Sequence, residues 1–276
     1  MDIKNTKIGF IGLGNQGAPI ARRIIEAGFD TTLWARRPQS LAPFADTPAH
    51  QAATLAELGA RCDVVGICVL ADADVEQVVL GPGGLLSAMS PGSVILIHST
   101  AHPDLCRELA ATGERMGVAV LDAPVSGGNA RAAAGQMAVM VGGEQAVFKQ
   151  VLPVLRTFAT TIERLGPIGS GQVCKLVNNA VFTINFGAGL ALLEAGEQLG
   201  MDRQALARML SGGSAQSFAL GMVAAAGADG LRQAEALLNK DIGLLLDVLQ
   251  ARGDGSHNVS DLTHAALATL SAALAR

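Results

Sequence analysis

Three groups of residues have the types and spacing to do chemistry. The first is Gly12-x-Gly14-x-x-Gly17, in "GLGNQG". Gly12 permits a tight turn, Gly14 lets the backbone approach a pyrophosphate, and Gly17 allows a helix to pack close on a strand. A strand pattern precedes the motif and a helical pattern follows it, so free N–H groups at the helix start face the phosphates. Gly12, Leu13, Gly14, Asn15, Gln16 and Gly17 are therefore the expected dinucleotide cradle. The second group is "LWARRPQS", at the end of the next strand. An NAD-binding protein usually carries an acidic residue there, but Ala35 occupies the place and Asp30 lies at the wrong end of the strand. Arg36 and Arg37 follow, and two guanidiniums can pair with a 2′-phosphate. NADP (as NADPH) is thus the expected cofactor, with NAD still possible; the plain alternative is a solvated basic turn. The third group centres on Lys175, the one charge in "GSGQVCKLVNNAVFTINFGAGLALL". Burying an ammonium is costly unless it is paired or its pKa falls. Either the lysine snorkels its head into water from the segment's edge, or it faces a cleft and carries protons.

These residues need a scaffold, and the patterning names one. "KIGFIG", "TTLW", "DVVGICVL", "SVILIH", "AVLDAPV" and "MAVMVGG" read as apolar strands. Helical stretches separate them, including "GAPIARRIIEAG", with Gly28 as its C-terminal stop, and "HPDLCRELAATGERMG". Continuous apolar strands alternating with helices imply a mostly parallel sheet covered on both faces. After "TTIERLGPIGSG" only helical periodicity remains. The expectation is an α/β chain: a doubly wound dinucleotide-binding domain over residues 1–166, then an all-helical domain over 167–276 for substrate binding and oligomerisation.

Composition narrows the function classes. Half of the 276 residues are hydrophobic and only 3% are aromatic, which suits helices packed closely on a sheet and argues against disorder. Net charge is -4, with no basic face or tail to attract nucleic acid or an anionic membrane. Cys62, Cys68, Cys106 and Cys174 lack metal or CxxC spacing and read as reduced core thiols in a cytoplasmic protein, with no metal site expected. The N-terminus runs straight into the first strand without a signal-peptide pattern. Gln172, Asn178, Asn179 and Asn185 make the Lys175 segment too polar for a lipid-facing span.

Four stretches, in order and at matching spacing, resemble the β-hydroxyacid dehydrogenase family: "GFIGLGNQGAPIARRI", "DAPVSGG" (Asp122 to Gly128), "GSGQVCKLVNN" and "NKDIGLLLD". That family includes 3-hydroxyisobutyrate dehydrogenase, tartronate semialdehyde reductase and glyoxylate/succinic semialdehyde reductase, and is related to 6-phosphogluconate dehydrogenase. The resemblance implies that Lys175 is the catalytic lysine and that Asn179, four residues on and on the same helix face, helps hold the substrate. It implies that Ser126, Gly127 and Gly128 bind the substrate carboxylate. Exposed N–H groups and a hydroxyl suit that task, although a simple turn after a strand would look the same. It implies cofactor contacts for Val69 and Leu70 on the adenosine side, for Thr100 near the nicotinamide ribose, and for Lys240 on a later helix, with Asp241 beside it as structural support. Gln16 stands where the family often has methionine. His98 stands where an acidic residue is common. A histidine at a strand end near a cofactor can titrate usefully, but is more often a hydrogen-bonded structural residue.

The implied reaction is reduction of a small carbonyl acid by NADPH, reversible as oxidation of a 3-hydroxyacid. Lys175 would donate the proton, its pKa lowered toward neutrality by apolar surroundings. Two alternatives share the fold: an imine reductase-like enzyme, whose relatives usually replace the lysine, and a dinucleotide-binding protein without catalysis. The small residues of "NFGAGLALLEAGEQLG" suit close helix packing against another subunit, so a homodimer or homotetramer with its active site in a cleft between domains is expected. Groups around "SGGSAQSFALG", with Phe182 and Phe218, are the expected selectors among small carboxylate-bearing substrates.

Overall fold

The computed structural model describes residues 6–232, 235–253 and 257–275. By packing the chain divides into two compact units, Met1–Lys175 and Leu176–Arg276. The first alternates strands and helices: β1 (Lys7–Ile11), α1 (Gly17–Glu26), β2 (Asp30–Trp34), β3 (His50–Gln51), α2 (Leu55–Arg61), β4 (Val64–Ile67) and α3 (Asp72–Leu80). Then come β5 (Val94–Ile97), α4 (Pro103–Arg115), β6 (Ala119–Asp122), β7 (Val125–Ser126), α5 (Gly128–Ala133), β8 (Met137–Gly142), α6 (Gln145–Leu155) and β9 (Ala159–Gly166). The sheet order is β3-β2-β1-β4-β5-β6-β8-β7, with β9 paired to β8. All pairs from β3 to β6 are parallel; β8 runs antiparallel to β6 and β7, and β9 runs parallel to β8.

Every residue of β4 and β5 is buried, as continuous apolar runs require when helices cover both faces. Alternation along the strands then splits the core. Phe10, Val64, Val94 and Leu96 face one hydrophobic cluster, shared with Ile20 and Ile24 of α1. Val65, Ile67, Ile95 and Ile97 face the other, shared with Leu58 of α2, Val75 and Val79 of α3, and Leu109 of α4. The helix α1 ends as its sequence suggests: Ala27 caps it, and Gly28 follows with φ +89°.

The sheet is larger than the strand patterns suggested. β3 has two residues, and β7 branches from the "AVLDAPV" run after a break at Ala123–Pro124. β9 falls where no strand was expected. Its residues, ATTIERLG, mix threonine and charge with scattered apolar side chains and are mostly partly or fully exposed, so no apolar periodicity marks them. Backbone pairing to β8 makes the strand.

The second unit is helical. α7 (Ser170–Gln198) begins in the first unit and continues into the second, followed by α8 (Arg203–Gly212), α9 (Phe218–Ala226), α10 (Glu235–Ala251) and α11 (His257–Leu274). Leu176, Phe186, Leu190 and Leu193 of α7 share a core with Val223, Ile242, Leu245, Leu267 and Leu270. The glycines of the small-residue stretch serve this chain's own packing. A Cβ on Gly187 would lie 2.6 Å from the Ala266 backbone, and one on Gly196 would lie 2.2 Å from Leu206 Cδ2. The apolar side chains that α7 leaves exposed are instead Val177, Val181 and Leu192. Length and composition alone would allow α7 to cross a membrane; 44% of its most apolar window is buried within the protein.

Candidate active site

The register of the parallel strands assembles the first half of the site. Ile11 lies opposite Trp34 and Ile67, Ile67 opposite Ile97, and Ile97 opposite Asp122. The loops that follow these residues therefore emerge side by side along one edge of the sheet. They hold Gly12 to Gly17, Ala35 to Arg37, Cys68 to Leu70, His98 to Thr100, and Ala123 onward. The strand order turns back between β1 and β4, the place where doubly wound sheets bind ligands.

The glycines of the first loop divide by task. A Cβ on Gly12 would sit 2.2 Å from the Cys68 carbonyl oxygen, and one on Gly17 would sit 1.9 Å from the Gly12 carbonyl oxygen. Both positions are closed to any side chain by backbone that cannot move aside. A Cβ on Gly14 would meet nothing within 4 Å. The turn is thus packed tight beneath and open above, at the start of α1. Those are the features a dinucleotide's pyrophosphate needs: close backbone approach at Gly14 and helix N–H groups beneath it. The residues present fit such a group.

Arg36 and Arg37 are exposed at the end of β2. Arg36 Nη1 lies 3.0 Å from Asp74 Oδ1, in the first turn of α3. Asp74, 38 residues away, was not visible as a partner from sequence spacing. Val69 donates its N–H to Ser99 Oγ at 2.8 Å, which links the loops after β4 and β5. Leu70 is largely exposed and Thr100 half-buried.

Ser126 ends β7, Gly127 makes the turn and Gly128 begins α5. Gly127 and Gly128 adopt φ +137° and +71°, conformations that L side chains rarely take. Asn129, next in the chain, donates its side-chain N–H to the Asn15 carbonyl at 2.7 Å. The glycine turn after β1 and the Ser-Gly-Gly turn are therefore tied together.

Lys175 is buried at 8% exposure in the second turn of α7. Burial pushes the Cys68 thiol, at the end of β4, up to about 12, with the charge of Lys175 acting against it. The residues that fix this part of α7 were not singled out from sequence. Asp122 Oδ1 accepts from the Gly169 N–H and its Oδ2 from the Gln172 N–H, both at 2.7 Å. Burial pushes the Asp122 carboxyl up, and those N–H groups act against the rise. The Gln172 side chain bonds the Ala101 N–H and the Ser99 carbonyl. Its one sequence signal is polarity within an apolar segment.

One turn along α7, Asn179 belongs to the second unit. Its Nδ2 donates to Asp241 Oδ2 at 2.6 Å, and its Oδ1 accepts from Asn178 at 3.0 Å. Asp241, on α10, is buried, and Lys240 Nζ lies 3.5 Å from its Oδ1. The "NKDIGLLLD" motif thus supplies the carboxylate that holds Asn179. In the same unit Phe182 packs on Phe186 and Phe218, at ring separations of 6.0 and 6.3 Å.

His98 has a structural role. It is buried, its Nδ1 lies 2.8 Å from the Ala123 carbonyl, and its ring stacks on Phe10 and meets Phe158 edge-on. Burial lowers its pKa to about 4, so the ring is neutral at pH 7 and Nδ1–H donates to that carbonyl. Cys62 and Cys106 are buried free thiols, and Cys68 and Cys174 are partly buried free thiols. Among the described residues no three His, Cys, Asp or Glu side chains converge to hold a metal.

Comparison with known proteins places the chain in a family. Residues 7–166 match the NAD binding domain of 6-phosphogluconate dehydrogenase. Residues 169–275 match the NAD-binding domain of NADP-dependent 3-hydroxyisobutyrate dehydrogenase. An L-threonate dehydrogenase of Cupriavidus necator is 36% identical over 200 residues, 72% of this chain and 67% of that one. A 3-hydroxyisobutyrate dehydrogenase of Mycobacterium tuberculosis, solved with L-serine, superposes with a TM-score of 0.83 at 29% identity, covering 94% of this chain and 91% of its own. Psf3, solved with NADP+ and 2-OPP, gives the same TM-score at 25% identity, covering 96% and 93%. The chain belongs to the β-hydroxyacid dehydrogenase family and is an NAD(P)-dependent oxidoreductase acting on CH–OH donors.

Proposed function

We propose that this protein interconverts a small 3-hydroxyacid and its semialdehyde or keto acid, prefers NADPH, and uses Lys175 as its general acid and base. The observation that carries the reading is the placement of Lys175. It is buried, fixed in the second turn of a helix whose start is bonded to strand ends, and close enough to Cys68 to act on that thiol. The Gly12–Gly17 turn would hold the dinucleotide, which would supply the hydride for the carbonyl carbon. Lys175 Nζ gives its proton to the carbonyl oxygen as negative charge grows there, and takes it back in the oxidative direction. Ser126 Oγ and the N–H groups of Gly127 and Gly128 hold the substrate carboxylate. Asn179, held by Asp241, orients the reacting end. Arg36 and Arg37 would receive the 2′-phosphate, Thr100, Val69 and Leu70 would line the rest of the cofactor, and Lys240 is the further cofactor residue that the family resemblance implies. Residues 1–166 are the dinucleotide-binding domain and 167–276 the substrate domain.

Names among the relatives support the substrate class: one acts on L-threonate, one on 3-hydroxyisobutyrate, and one was solved with NADP+. The exposed apolar stripe of Val177, Val181 and Leu192 on α7 supports a homodimer or homotetramer, and the proposed location is the cytoplasm. The test is loss of NADPH absorbance on adding a panel of semialdehydes and keto acids. Lys175→Ala should lower kcat by about two to three orders of magnitude and leave NADPH affinity within a few fold. Turnover close to wild type in Lys175→Ala would remove the lysine from the mechanism.

A further inference from the structure

Gln172 sits one turn before Lys175 on α7 and is fully buried. Its side chain leaves the helix and bonds to the loop after β5 as a strand neighbour would. Oε1 accepts from the Ala101 N–H at 3.1 Å, and Nε2 donates to the Ser99 carbonyl at 2.8 Å. Those two backbone groups bracket Thr100. Ser99 continues the chain of bonds, its Oγ accepting from the Val69 N–H at 2.8 Å. On the helix side, the Gln172 N–H is held by Asp122 at the end of β6. One amide side chain and one carboxylate therefore lock the first turn of α7 to the ends of β4, β5 and β6.

Lys175 follows three residues later, on the same side of the helix. We propose that Gln172 is a positioning residue for proton transfer: it sets where Lys175 stands relative to the Val69–Thr100 edge on which the cofactor rests. The proposal depends on the reading of Lys175 as the proton carrier. A side chain that only filled space could be replaced by an apolar group of the same volume. Gln172 instead turns its amide oxygen and an amide N–H to the two backbone groups that flank Thr100, with the buried Cys106 thiol also against it. Reactions of this kind are sensitive to such placement, and a shift of about 1 Å can cost about a hundredfold in rate.

The test is a double-mutant cycle on the full-length enzyme, with kcat and NADPH affinity measured per mole of protein of native circular dichroism. Gln172→Met keeps the length and removes both hydrogen bonds. It should lower kcat roughly 10- to 100-fold with the Kd for NADPH within threefold. Added to Lys175→Ala it should lower kcat no further, because its effect runs through the lysine. The same fold loss in both backgrounds would show a merely structural role and overturn the proposal. Lys175→Ala with wild-type turnover would instead overturn the reading of Lys175, whatever Gln172→Met does.

Gln172→Glu tests the geometry without relying on the methionine variant. A protonated carboxyl has the shape of the amide: its O–H donates to Ser99 and its carbonyl accepts from Ala101. The kcat of Gln172→Glu relative to wild type should therefore climb toward one as pH falls from about 8 to about 6, the range in which a buried glutamate titrates. A ratio well below one that stays flat with pH would overturn the proposal.

Discussion

His98 makes folding stability depend on pH in a way that can be computed from its surroundings. Its pKa is about 4 in the folded protein, because the ring is buried between Phe10 and Phe158. The unfolded chain returns it to the ordinary value near 6.5. Between those values the unfolded state binds a proton that the folded state refuses, so stability rises with pH across the window and falls as pH drops through it. Near pH 7 the contribution is almost nil. At pH 5 the unfolded chain is favoured by about 2 kcal/mol, and below pH 4 the loss levels off at about 3.4 kcal/mol, 2.5 units at 1.36 kcal/mol each. The perturbation is His98→Phe, which keeps an aromatic ring in the slot but leaves the Ala123 carbonyl without its donor. That should cost about 1–3 kcal/mol at pH 7, while removing the acid-dependent loss. Urea unfolding at pH 7, 6 and 5 measures both effects. The wild-type minus variant difference should shrink by about 2 kcal/mol from pH 7 to pH 5, and other titrating groups cancel in that comparison. A difference constant across this range would show that His98 takes up its proton without unfolding, and the burial argument would fail.

The glycine turn and the two candidate loops give further tests. Arg36→Ala with Arg37→Ala should raise the KM for NADPH by roughly tenfold or more, the scale of a lost charged hydrogen bond, with NADH little changed; a wild-type enzyme that prefers NADH would show that these arginines serve only Asp74 and solvent. Asp74→Asn should change NADPH preference by no more than about fivefold, because the exposed pair it breaks is worth about 1 kcal/mol at most. Gly17→Ala should cost about 3 kcal/mol of stability or more, read as a fall in Tm, since its Cβ would overlap the Gly12 carbonyl. Gly14→Ala, with open space at its Cβ, should hold the Tm and raise the KM for NADPH. Ser126→Ala should raise KM for acid substrates more than for neutral aldehydes; equal loss on both would mark the loop as structural.

Some of the molecule was legible because it obeys local rules. Gly12 and Gly17 are forced by sterics, so their spacing announces the turn. Val64 to Ile67 and Val94 to Ile97 are buried on both faces, so unbroken apolar runs announce central parallel strands. β9 broke no rule and still escaped. An exposed strand with threonines and charges is made by its partner β8, and nothing within Ala159–Gly166 states that pairing. Gly187 and Gly196 were ambiguous for another reason. A small residue permits close approach of any helix, and the sequence does not say whether that helix belongs to the same chain. Here it does.

The lysine was visible and its setting was not, for one physical reason. Apolar periodicity reports the solvent exposure of single residues, so a lone charge in "GSGQVCKLVNN" stands out against it. What fixes that charge is polar and comes from far along the chain. Asp122 bonds to residues 47 and 50 positions later, and Gln172 bonds to residues 71 and 73 positions earlier. Such contacts leave no period. They leave only a polar residue where the local pattern has no use for one, as Gln172 is in α7 and Asp122 is at the end of "AVLD". A buried carboxylate is costly unless N–H groups meet it, and the start of a long helix supplies those groups. Asp122 and the start of α7 therefore stabilise each other, and Gln172 extends the same contact to the loop that carries Thr100. An apolar helix that must hold a lone buried lysine in register with a sheet edge needs anchors of this kind, because apolar packing alone tolerates small shifts that hydrogen-bond geometry does not.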